Sequence, residues 1–169
     1  ARRAALIARQ AGVPLLIAAK MREPLEYEYY EQQVRPLLGG DIEYVGEVGG
    51  EQKLSLLAEA RALLNPIRWV EPFGLVMIEA LACGTPVLTY RSGAAPEIVD
   101  DGVTGILCDE RDEMVEATQR VGTLDRAACR ASVQQRFSTN RMVADHLELF
   151  ESLLSSSPAP RPTAADAAR

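Results

Sequence analysis

The sequence predicts an α/β fold in which a doubly wound, mostly parallel sheet is followed by C-terminal helices. Three observations predict it. Short apolar runs bounded by Gly, Pro or charge alternate with stretches of helical periodicity as far as Leu107. The helical stretches are closed by Gly or Pro, which stop a helix cleanly. Beyond Leu107 only helical patterns remain.

Taken in order, residues 2–11 form a helix closed by Gly12, and residues 13–18 a strand. Residues 25–34 form a helix closed by Pro36, and residues 41–45 the second strand. Residues 51–61 are helical, with Leu54, Leu57 and Ala58 at helical spacing. The strand at 62–65 leads through a loop to a helix over 74–83 closed by Gly84, and strands follow at 86–90 and 105–107. Met114, Ala117, Thr118 and Val121 form one helical stripe, residues 125–136 a further helix, and Val143, Leu147, Phe150 and Leu154 a last stripe. The expected organisation is one Rossmann-like domain over 1–154. A disordered tail over 155–169 has no large apolar side chain to offset the cost of ordering past the serines.

Composition narrows the function. A chain of 169 residues with 47% hydrophobic and 25% charged side chains can bury a sizeable core as one domain. No apolar run approaches the roughly 18 residues of a membrane span, and the opening residues lack a secretory signal. Cys83, Cys108 and Cys129 are odd in number and have no metal-ligand spacing, which fits thiols of a reducing cytoplasm. A net charge of -6 disfavours nucleic acid as a partner. The acidic cluster at 109–113 lacks a glycine-punctuated metal loop and reads as a charged helix start, so no metal site is expected.

Ligands of open parallel sheets bind beyond the carboxyl ends of strands, which directs attention to residues 66–84. Glu71 lies in the loop there, and Glu79 falls on the second turn of the following helix. The first-turn N–H groups and the helix dipole favour an anion such as a diphosphate, and Gly74 leaves room for it to approach the backbone. A carboxylate accepts well from two vicinal sugar hydroxyls, each charge-assisted bond contributing about 1.5 to 3 kcal/mol. Two carboxylates flanking an anion site therefore suggest a nucleotide sugar, with one sugar for each.

The stretch resembles the donor-binding motif of family 4 retaining glycosyltransferases, which have the two-domain GT-B fold. Glu71 and Glu79 are separated by seven residues, Phe73 and Gly74 follow the first Glu, and Ala80-Leu-Ala-Cys-Gly-Thr-Pro-Val87 continues the motif. Ser92-Gly-Ala-Ala-Pro-Glu97, the segment 98–105 and the closing helices also look like the C-terminal domain of that family. The resemblance implies transfer of a sugar from a UDP-sugar or GDP-sugar to an acceptor, with retention and without metal or cofactor. Glu71 would hold the donor sugar as the catalytic-site carboxylate, and Glu79 the ribose. Phe73, Gly74, Leu75 and Val76 would surround the sugar and diphosphate, the base would lie near Val48, and Lys20 could face the same cleft.

The same resemblance implies that a phosphate-binding loop, the first strand of the domain and a separate N-terminal, acceptor-binding domain are absent from this chain. The isolated chain is then expected to be inactive, and to self-associate through the sheet edge left by that strand. Rival readings are a noncatalytic regulatory domain that binds a nucleotide sugar and a nucleotide-sugar epimerase of the same fold. Trp69, Glu97 and His146 read as packing, a helix-start carboxylate and a solvated surface residue, and Arg68 either contacts a phosphate or does not.

Overall fold

The computed structural model describes residues 1–156. These fall into two compact units, Ala1–Gln134 and a second that begins at Gln135. The expected tail lies largely outside the described residues. Ser155 and Ser156, which the sequence assigns to that tail, belong instead to the last helix.

In the first unit the elements run α1 (Arg2–Ala11), β1 (Leu15–Ala18), α2 (Pro24–Tyr29), β2 (Ile42–Gly46), α3 (Gly50–Glu59), β3 (Leu63–Asn65), α4 (Leu75–Ala82), β4 (Val87–Tyr90), α5 (Ala95–Ile98), β5 (Gly105–Cys108) and α6 (Arg111–Arg120). Helix α7 (Arg126–Arg136) runs across the boundary, and α8 (Thr139–Ser156) belongs to the second unit. All strand pairs are parallel, but the strands form two sheets, β1-β2 and β3-β4-β5.

Local chemistry accounts for the boundaries. Gly12 takes the left-handed conformation (φ 66°) and donates to the carbonyls of Ala8 and Arg9, ending α1. Helix α2 opens with a capping box between Glu23 and Glu26, and its Pro24 occupies the first turn, where its missing N–H costs nothing. Pro36 does not end the helical path at Val34, as the sequence suggests. The chain passes through a π turn (Tyr30–Val34) into a 3-10 turn (Arg35–Leu37) that carries Pro36 at its start. Helix α6 begins with a second capping box, Glu110 with Glu113, which is the charged start expected of the acidic cluster.

Helix α1 supplies two apolar clusters of the core. Ile7 packs with Leu88, Tyr90, Cys108, Met114, Ala117 and Val121, on the face of the three-stranded sheet covered by α6. Ala5 and Ala8 pack with Ile17, Val34 and Ile42 on the two-stranded sheet. Strand β4 is buried at all four positions, which requires cover on both faces because side chains alternate.

The stripe Met114, Ala117, Thr118 and Val121 is buried as the sequence predicts. The stripe assigned to α3 is not. Leu57 is buried, but Leu54 is 50% exposed and Ala58 faces solvent. Lys53, Leu56 and Ala60 are the half-buried neighbours of Leu57, so the covered face of α3 is rotated towards Lys53. In the second unit, α8 exposes Val143, Leu147, Phe150 and Leu154 along one stripe, and His146 Nδ1–H donates to the Met142 carbonyl, 2.7 Å away.

Candidate functional site

Two segments at the carboxyl ends of the strands meet around Glu71. The loop after β3 carries it, and the turn after β4 fixes its backbone. The Ala94 N–H donates to the Glu71 carbonyl at 2.8 Å. Gly93 (φ 57°) lies so close that a Cβ there would stand 2.5 Å from the Glu71 carbonyl oxygen and 2.6 Å from its nitrogen. Only glycine fits both that conformation and that approach.

The Glu71 side chain turns back on the helix that follows. Its Oε1 accepts from the Gly74 N–H at 3.0 Å and, at 3.3 Å, from that of Phe73. The carboxylate therefore caps the start of α4, satisfying a donor that the helix itself leaves open. The Gly74 N–H thus already has an acceptor and the residue is buried, and it is the backbone conformation that requires glycine there. Its φ is 78°, and a Cβ would collide with Met77 Cε and lie 3.1 Å from Ile98 Cδ1. The backbone donors that α4 leaves to a ligand are those of Leu75 and Val76. Both side chains are exposed, as are Phe73, Trp69 and Val70 on the same loop.

Glu79 is half-buried on the second turn of α4, and its Oε1 accepts from Lys53 Nζ at 2.6 Å. Lys53 lies on α3, a helix that begins directly after the loop bearing Val48, itself half-buried. This pair ties α3, the helix that follows the Val48 loop, to α4. Lys20 is exposed two residues past β1, on the two-stranded sheet, and lines a cavity of about 330 Å3 with Ile17, Leu25, Tyr29, Val34 and Tyr44, to which no residue of 66–84 contributes.

Arg68 is also committed elsewhere. Its guanidinium sits 4.1 Å over the Tyr90 ring and 3.1 Å from Glu110, and hydrogen bonding to Tyr90 and then Glu110 raises its pKa. The C-terminal side of α4 is held by conventional means. Gly84 (φ 76°) donates to the Leu81 carbonyl, as Thr85 does to that of Ala80, and Arg130 caps the carbonyls of Ala82 and Cys83.

Lys53 and Gly93 were not legible as site residues. A lysine on a helix reads as solvated until the buried face is known, though its spacing of four from Leu57 is the signal that could have placed it. Gly93 stands in a turn-forming run and carried no sign of what it would pack against.

The family model described as "Glycosyl transferases group 1" matches residues 1–124. Among curated proteins, the glycogen synthase of Mycobacterium tuberculosis is 37% identical over 102 residues, 60% of this chain and 24% of that protein. The N-acetyl-alpha-D-glucosaminyl L-malate synthase of Bacillus anthracis is 30% identical over 121 residues, 66% of this chain and 30% of that protein. Among solved structures, Anabaena Alr3699/HepE in complex with UDP and glucose superposes with a TM-score of 0.71 at 27% identity, over 88% of this chain and 44% of that one. AviGT4, a glycosyltransferase involved in avilamycin A biosynthesis, gives 0.70 at 26%, over 93% and 48%. The chain spans about a third of the curated relatives' length and under half of these solved chains. The chain belongs to the Glycosyl transferases group 1 family and has the mixed α/β, parallel-sheet fold of its GT-B relatives.

Proposed function

We propose that this chain is the donor-binding part of a retaining glycosyltransferase, and that it holds a nucleotide diphosphate sugar with a UDP or GDP head. The observation that carries the reading is the order of groups along one helix start. A carboxylate, Glu71, is fixed at the N-terminus of α4, the N–H groups of Leu75 and Val76 follow, and Glu79 stands one turn further on. Glu71, whose Oε2 remains to receive a hydroxyl, orients the transferred sugar and is the catalytic-site residue. Leu75 and Val76 N–H groups meet the charge that develops on the departing diphosphate, beside Phe73 and Gly74, as preorganised dipoles do. Glu79 accepts from the ribose, and the base rests near Val48. The solved Anabaena relative with UDP and glucose supports this choice of ligand.

No metal or cofactor has a part in this scheme, and the acceptor is bound mainly by a separate N-terminal domain of the whole protein. Free Cys83, Cys108 and Cys129 fit a cytoplasmic setting, and among the described residues no helix is long and apolar enough to cross a membrane. The open edges of β1 and β3 receive a further strand in the whole protein; the isolated chain is inactive and associates with itself through them. A sedimentation measurement showing a monomer with a cooperative melt contradicts that association.

A thermal-shift panel on the full-length protein tests the main reading. One of UDP, GDP and ADP, or its sugar, is expected to raise the melting temperature, since a ligand at a hundred times its Kd stabilises by about 2.7 kcal/mol. No shift with any of them contradicts it.

A further inference from the structure

We infer that Lys53 is a positioning residue for Glu79, holding one oxygen of that carboxylate so that the other presents to the ribose. The inference rests on the ribose role proposed for Glu79. Three observations support it. The Nζ to Oε1 distance is 2.6 Å, a short charge-assisted bond, and it joins two different helices, 26 residues apart in sequence. The covered face of α3 carries Lys53 with Leu56 and Leu57, while Leu54 is left 50% exposed. A helix that exposes a leucine and half-buries the adjacent lysine presents that lysine for its head group. Finally, the loop that carries Val48 runs straight into this helix through Gly49 and Gly50, around both of which a Cβ would meet no atom within 4 Å. The loop proposed to hold the base thus leads directly into the helix whose lysine holds the ribose carboxylate.

The physical consequence is orientation. A glutamate on a helix surface samples several rotamers, and a ligand must restrict them on binding. With Oε1 tied to Lys53, Glu79 is already restricted, and its free oxygen keeps one direction. Lys53 acts through Glu79 and does not itself touch phosphate.

The test uses calorimetric titration of the full-length protein with UDP, GDP and ADP, carrying forward whichever binds most tightly together with its nucleoside. Lys53→Met is expected to weaken the nucleoside and the nucleoside diphosphate alike, by about tenfold, because both carry the ribose. Lys53→Arg is expected to recover most of that loss. In the Glu79→Gln background, Lys53→Met is expected to cost nothing further, since contacting groups acting as a unit are not additive. Both side chains are about a third exposed, so the variants are expected to melt with the wild type; Lys53→Gln serves as the second variant. Wild type that binds none of the three nucleotides overturns the donor-site reading itself. Wild type that binds, with Lys53→Met equal to it, overturns only the inference. So does a loss confined to the diphosphate, or one that adds to that of Glu79→Gln.

Discussion

Strands β4 and β1 are both four residues long and mostly apolar, yet β4 is buried at every position while β1 leaves Leu16 half exposed and Ala18 in solvent. The difference lies in cover: the alternate positions Leu16 and Ala18 mark one face of the β1–β2 sheet as open, whereas β4 is covered on both faces. β4 is also paired on both edges, by β3 and β5, and β1 only by β2. Burial in a parallel sheet is thus a property of the layers that pack on a strand as much as of its sequence. The candidate site stands on the well-covered half: Glu71 is pinned by the turn that leaves β4, and Glu79 rides on the helix between β3 and β4. The β1–β2 half is held largely through α1, the helix that serves both clusters.

Removing the shared support has the largest expected effect. Ile7 is fully buried against β4, β5 and α6, and Ile7→Ala is expected to cost about 2 to 5 kcal/mol in a denaturant titration. A cost below about 1 kcal/mol would show that α1 is not a joint element of the core.

Next is the contact that passes β4's rigidity to the site. Gly93→Ala places a methyl group against the Glu71 backbone and asks alanine to keep φ 57°. It is expected to lower nucleotide-sugar affinity by about tenfold or more while leaving the matching nucleoside diphosphate nearly unaffected, because Glu71, the carboxylate proposed to face the sugar, moves and Glu79, the one proposed to face the ribose, does not. Equal losses for the two ligands would contradict that division.

These two residues also mark what the sequence could and could not tell. Helix α1 was legible to the residue, because Gly12 announces its end. The stripe of α6 was legible because apolar side chains at helical spacing have one place to go. The orientation of α3 was not, because Leu54 and Lys53 lie on adjacent faces and only the packing of α4 decides which is covered. Glu71 and Glu79 stood out by type and spacing. That Glu71 would cap Gly74, that Glu79 would pair with Lys53, and that Lys20 would lie on the other sheet are tertiary facts with no local signal.

A smaller effect concerns pH. Burial, then the nearby Glu113 and Asp101 carboxylates, push the Cys108 thiol of β5 up to about 11 from an ordinary 9.0. The fold therefore favours the neutral thiol. Its contribution is fully present below about pH 9 and is lost as pH rises towards about 11. Cys108→Ala is expected to flatten that part of the stability profile, measured by denaturation at a series of alkaline pH values; an unchanged slope would contradict it. The smallest effect is expected on the open strand, where Leu16→Ala should cost under about 1 kcal/mol in the isolated chain and more in the full-length protein, if a further strand covers it there.

The central claim is that α4 begins a nucleotide-sugar site with Glu79 at the ribose. Calorimetric titration of the full-length protein and its Glu79→Gln variant with the preferred nucleoside diphosphate tests it most directly. Loss of one charge-assisted contact predicts an affinity about tenfold lower or weaker still. Equal affinities for the two proteins would contradict the account.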